Sequence, residues 1–217
     1  MRSPTYSPKA TPAFDWRPRV SVVLPTYNES GNIGRLIAAV REAAEWMSEL
    51  EIVVVDDDSP DGTGEIAAGA GGNVRVIVRK DARGLATAVR RGIEESTGDV
   101  VVVMDTDFNH QPEMIPQLQG KVFLLLGTGL QDHLSGFFAV RRKTILGLDF
   151  DDIFDGYGDY FIRLVVESLA RGSTILEVPV YYPARIHGES KTKFLRTLSQ
   201  YARAVLRLAL RRRPKPA

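Results

Sequence analysis

The chain has 217 residues, 44% apolar and 25% charged, with a formal net charge of +1. These are the proportions of a soluble globular domain, not of a disordered, collagenous or disulfide-built protein. Cysteine is absent, which excludes disulfides, zinc–thiolate sites and thiol nucleophiles. No apolar run reaches the roughly 18 residues of a membrane span, and the opening MRSPTYSPKATPAFDW lacks the apolar stretch of a secretory signal. A cytoplasmic protein is therefore expected.

Residues 1–18 read as a flexible Pro/Ser/Thr-rich lead-in. Val20–Leu24 is strand-like. It is followed by a helix predicted from about Asn32 to Trp46, where Ile33, Leu36, Ile37 and Val40 keep the spacing of one buried face. Glu51–Val55, Val74–Val78 and Asp99–Met104 read as further strands, and Leu85 to Glu95 as a helix after Gly84. Continuous apolar strands separated by helices predict a parallel sheet covered on both faces, an α/β fold of the doubly wound kind. Ligands of such sheets sit beyond the carboxyl ends of the strands.

The strand ends are polar. After the first comes Pro25-Thr26-Tyr27-Asn28-Glu29; after the second, Asp56-Asp57-Asp58-Ser59-Pro60-Asp61-Gly62; after the fourth, Asp105-Thr106-Asp107. Carboxylates at strand ends commonly cap the next helix, but three such loops on one edge point to a site. Asp105 and Asp107 can face one divalent cation, and hard oxygen ligands suit Mg²⁺ or Mn²⁺ together with diphosphate oxygens. The chain has no G-x-G-x-x-G, no G-x-x-x-x-G-K-[ST] and no G-x-S-x-G, so dinucleotide, P-loop and serine-hydrolase chemistry are unsupported. From Arg185 onward ten basic residues face Glu189 alone, which suggests an anionic partner, membrane phosphate or nucleic acid.

VSVVLPTYNES, EIVVVDDDSPDGT, KDARGLATAVRRGIEESTGD, VVMDTDFNHQPE, LSGFFAVRR and ARIHGESK, in this order, resemble the family 2 glycosyltransferases over residues 20–195. The resemblance is greatest to dolichyl-phosphate mannose synthases and related polyprenyl-phosphate sugar transferases. It implies a GT-A fold over residues 19–190; the residues at 191–217 themselves read as a basic amphipathic helix and tail. It also implies a nucleotide-sugar donor (GDP-mannose, with UDP-glucose as the alternative), a divalent metal and inversion at the anomeric carbon. Carried over by motif, Pro25, Tyr27 and Glu29 would hold base and ribose, Asp57 would lie beside the base, and Asp105 near ribose and diphosphate. Asp107 would be the principal metal ligand. Asn109 stands where these synthases usually carry a metal-binding glutamine and is one methylene shorter. Arg185, Ser190 and Lys191 match the R-x-x-G-x-S-K segment that closes over phosphates, a task suited to an Arg fork and a Lys point charge.

A lipid phosphate acceptor is largely ionised at neutral pH, its second pKa being about 6. No general base is then needed, and Arg185 and Lys191 would orient it. A hydroxyl acceptor needs a base, for which Asp159 in GYGDYF is the candidate; alternatively that carboxylate interacts with the dipole of the helix it precedes. Phe194, Leu195, Leu198, Tyr201, Ala202, Val205 and Leu206 share one helical face flanked by arginines. Such a helix either packs on its own domain or lies in a membrane interface. The implied partners are thus donor, lipid phosphate and a membrane surface touched peripherally, with no nucleic acid. The pattern breaks near 118–121, where the family's strand ending in G-S-R, loop and helix are missing before VFLLLGTG. That segment would carry sugar and acceptor contacts, so a non-catalytic nucleotide-sugar-binding protein is a rival reading. A sugar nucleotidyltransferase is opposed by the absence of a G-x-G-T-R loop.

Overall fold

The computed structural model describes residues 18–45, 47, 49–107, 136–156 and 159–177. Among the described residues five strands form one sheet: β1 (Arg19–Thr26), β2 (Glu49–Asp56), β3 (Val74–Val78), β4 (Val100–Val103) and β5 (Phe138–Arg141), in the order β3-β2-β1-β4-β5. All pairs are parallel except β4 with the edge strand β5. The helices are α1 (Ile33–Ala43), α2 (Thr63–Gly69), α3 (Leu85–Glu95), α4 (Arg142–Leu146), α5 (Phe150–Ile153) and α6 (Tyr160–Ala170).

Alternation along each strand divides the core in two, because successive side chains point to opposite faces. Val22, Leu24, Ile52, Val54, Val100 and Val102 pack with Ile33, Leu36, Ile37 and Val40 of α1 and Ala67 of α2. On the other face Val23, Val53, Val55, Val101 and Val103 meet Ala86, Ala88, Val89 and Ile93 of α3, together with residues of α4, α5 and α6. The four apolar positions of α1 are at most 1% exposed, and each stabilises the fold by about 1.5–3 kcal/mol relative to exposure. Helix α3 approaches the sheet unusually closely at Gly92, where a Cβ would fall 2.2 Å from Val23 Cγ1. Only a glycine allows that contact without displacement of the helix.

Parallel register aligns the strand ends. Thr26 lies opposite Asp56, and Val23 opposite Val103. The loops that leave β1, β2 and β4 therefore emerge side by side on one sheet edge.

The predicted helix from 32 to 46 is shorter, 33–43, and the helix over 85–95 and strand over 74–78 match their expected bounds. Two elements have little sequence signal. Helix α2 is TGEIAAG, with a glycine near each end and no apolar stripe; β5 is four residues at a sheet edge. The proposed lead-in (apart from Pro18), the region of the missing segment and the C-terminal amphipathic stretch lie outside the described residues. Among the described residues, no helix is long and apolar enough to cross a membrane.

Candidate active site

The edge formed by the carboxyl ends of β1, β2 and β4 brings together six of the residues singled out from sequence: Pro25, Tyr27, Glu29, Asp57, Asp105 and Asp107. Pro25 is the penultimate residue of β1 and is buried. Tyr27, half-buried, follows the strand, and the Arg83 guanidinium lies 4.9 Å from its ring centroid while Nη1 donates to the phenol oxygen at 3.2 Å. This is a cation–π arrangement that ties the β3–α3 loop to the β1–α1 loop.

Glu29 does two things. Its carbonyl accepts the N–H groups of Asn32 and Ile33, both at 2.9 Å, and so caps the first turn of α1 where Asn32 provides no side-chain cap. Its Oε2 accepts from Asn32 Nδ2 at 2.9 Å.

Asp57 is buried and internally engaged. Arg79 donates Nε to Asp57 Oδ1 at 2.7 Å and Nη2 to the same oxygen, while the Gly84 N–H donates to Oδ2 at 2.8 Å. Asp57 and Arg79 side chains are each 9% exposed. Arg79 also reaches Thr87 Oγ1 and the Gly84 carbonyl, so it binds the β2 end to the start of α3. Arg79 carries no signal in the sequence, because no periodicity links it to Asp57, 22 positions away. Its neighbour Asp56 accepts from Thr26 Oγ1, Ser59 N–H and Ser59 Oγ.

Asp105 and Asp107 follow β4 with buried Thr106 between them, and both are half-buried. Among the described residues no group of three or more His, Cys, Asp or Glu gathers to hold a metal. Two carboxylates at a strand end nevertheless fit a hard divalent cation, which commonly takes one or two carboxylates and completes its shell with substrate phosphates and water. Asn109, Arg185, Ser190 and Lys191 lie outside the described residues.

Asp159 sits on a different element, at the N-cap of α6, 7% exposed and without a side-chain cap bond. Its Oδ2 is 3.4 Å from Arg163 Nη2 one turn on, and Arg163 Nε donates to the Ile153 carbonyl at 3.0 Å.

A mainly parallel sheet covered on both faces, with an Asp-x-Asp pair closing β4 beside two polar loops, is the GT-A type of fold. The mannosyltransferase PcManGT from Pyrobaculum calidifontis, solved with GDP-Man and Mn²⁺, shares this fold with a TM-score of 0.72 at 19% identity, over 93% of this chain and 67% of that one. Residues 21–123 match glycosyl transferase family 2. The dolichol-phosphate mannosyltransferase of Pyrococcus furiosus is 34% identical over 88% of this chain, which spans 63% of that relative's length. The undecaprenyl-phosphate mannosyltransferase of Micrococcus luteus is 31% identical over 80% of this chain and 87% of its own. The chain belongs to glycosyl transferase family 2. The alignment with the Pyrococcus protein extends over 232 positions while covering 88% of 217 residues, so about 40 of its positions have no counterpart here.

Proposed function

We propose that this chain transfers a hexose, mannose in the first instance, from GDP-mannose to a polyprenyl phosphate with inversion. The observation that carries the proposal is the convergence of the β1, β2 and β4 loops on one edge, in a chain at least 31% identical to two polyprenyl-phosphate mannosyltransferases. In this reading Pro25, Tyr27 and Glu29 hold base and ribose, and Asp57 lies beside the base. Asp105 faces ribose and diphosphate. Asp105, Asp107 and Asn109 would hold Mg²⁺ or Mn²⁺, which when bound offsets the charge developing on the leaving diphosphate. Arg185, Ser190 and Lys191 close over phosphates, and Arg185 and Lys191 aim the acceptor at the anomeric carbon. The basic stretch after residue 190 supplies peripheral contact with a membrane surface.

An ionised lipid phosphate is itself the nucleophile, so no proton has to be taken up. Asp159, whose carboxylate lies 3.4 Å from Arg163 Nη2, has no part in this scheme. A hydroxyl acceptor would need a base, for which Asp159 is the candidate.

The test is calorimetric titration of GDP-mannose and UDP-glucose, with Mn²⁺ and with EDTA, into the wild type and Asp107→Ala, followed by radiolabel transfer to dolichyl or undecaprenyl phosphate. Metal-dependent binding of one donor, abolished in Asp107→Ala, is expected, together with a loss of transfer on the order of 10³-fold, about 4 kcal/mol on the barrier. Binding of neither donor would sink the transferase reading. Metal-dependent binding without transfer to any acceptor would establish a nucleotide-sugar-binding protein that has lost its acceptor segment.

A further inference from the structure

Three consecutive backbone N–H groups of the β1–α1 loop end on side chains of the β2–α2 loop. Asn28 N–H donates to Ser59 Oγ at 3.0 Å, Glu29 N–H to Thr63 Oγ1 at 2.9 Å, and Ser30 N–H to Asp61 Oδ2 at 3.0 Å. The two accepting hydroxyls are themselves oriented. Ser59 Oγ donates to Asp56 Oδ1 and Thr63 Oγ1 to Asp61 Oδ1, each at 2.5 Å. A hydroxyl that spends its single proton on a carboxylate turns its lone pairs toward the incoming amide. Asp61 therefore acts twice: directly on Ser30, and through Thr63 on Glu29.

The arrangement holds an unusual backbone. Asn28 has φ of 56° and Asp58, in the facing loop, 55°, the left-handed region that non-glycine residues occupy at a cost. A connection that only had to join a strand to a helix would satisfy its amides locally or with water. This one is shaped from outside, by residues 31 to 34 positions away in sequence. The Asp61 carboxyl agrees with that role: burial alone would raise its pKa, but the bonds from Thr63 and Ser30 outweigh burial and hold it below the ordinary value.

We propose that Asp61, with Thr63 as its relay and the Asp56-held Ser59 beside it, is a positioning residue for the nucleotide: it fixes the 28–30 backbone so that Tyr27 and Glu29 are presented to the donor. This rests on the nucleotide-sugar reading of the site. Asp61 is not a catalytic residue; its effect is on donor affinity, not on transfer from the bound donor.

The experiment compares wild type, Asp61→Asn and Thr63→Val. An amide has one accepting oxygen, so Asp61→Asn deprives either Ser30 or Thr63 of its acceptor whichever way it turns. Thr63→Val keeps the side-chain shape and removes the relay. GDP and UDP are titrated in Mn²⁺, amide exchange is read at residues 28–30, and KM and kcat are measured with the donor that binds. Asp61→Asn is expected to weaken nucleotide binding at least about tenfold, raise KM alike and leave kcat within about twofold. Exchange should accelerate at 28–30 while the thermal midpoint stays within about 5 °C. Thr63→Val should move the same quantities less, and it decides the matter alone if Asp61→Asn does not fold. Unchanged affinity in both variants of a nucleotide-binding wild type overturns this proposal only. A wild type that binds neither nucleotide overturns the donor reading and this proposal with it.

Discussion

The two edges of the sheet use the same residue types for different ends. At the amino edge, Glu51 accepts from Ser21 Oγ at 2.6 Å and from the N–H and hydroxyl of Thr97 at 2.9 and 3.1 Å, while Arg75 lies 3.2 Å away and bridges to Glu95. Arg19 pairs with Asp99 beside it. At the carboxyl edge the Asp57–Arg79 pair, Asp56 and Asp61 are as thoroughly bonded, but they stand behind loops that carry Tyr27, Glu29, Asp105 and Asp107 toward one edge. Carboxylates bonded to strands hold the sheet; carboxylates bonded to loops shape a surface. Residue type alone does not separate the two cases. Strand direction does, because in a parallel sheet only the carboxyl edge receives the strand-to-helix loops.

Perturbing each edge tests that division, and the largest effect on stability is expected where it is least sharp. Arg79→Ala leaves the buried Asp57 charge unpaired and should cost about 3 kcal/mol of stability, together with nucleotide affinity, read by denaturant melts and calorimetry. Gly92→Ala forces α3 away from Val23. It should cost about 2 kcal/mol without moving nucleotide affinity relative to the folded fraction.

Glu51→Gln comes next, at about 1–2 kcal/mol for weakened charge-assisted bonds, again without change in affinity. The same carboxyl gives a pH signature. Burial would raise its pKa, yet the bonds from Ser21 and Thr97 and the charge of Arg75 lower it below the ordinary 4.5. The folded state then binds fewer protons than the unfolded chain between the two values. The stabilisation is complete above about pH 4.5 and is lost as pH falls through the lower folded value. Urea midpoints measured between pH 3 and 6 should show this acid-side loss shrink in Glu51→Gln. Smallest of all, Arg19→Ala should leave the thermal midpoint unmoved, since an exposed pair contributes little.

Much of this division is legible in sequence. The VSVVL, EIVVV and DVVVVM runs announce buried parallel strands, and the polar residues that follow each run mark the edge that matters. Helix α2 is not legible, because TGEIAAG buries only Thr63, Gly64 and Ala67 and has no apolar stripe to detect. The Asp57–Arg79 pair and the Ser59, Asp61 and Thr63 braces are equally hidden. They join loops distant in sequence, where no periodicity links the partners, and the DDDSPDGT run gives no sign of which carboxylate faces outward. The Asp159–Arg163 contact, by contrast, is legible, because the two residues stand one helical turn apart in the same stretch.

The strand order has a consequence for how the molecule is made. Strand β1 leaves the ribosome first, yet it occupies the middle of the sheet, with Val20 paired to Val100. At the roughly 5–20 residues per second of synthesis, β1 and β2 can dock with α1 early, but one side of β1 stays without a neighbour until β4 has emerged. During that interval the chain displays a bare row of valine-rich backbone to other nascent chains.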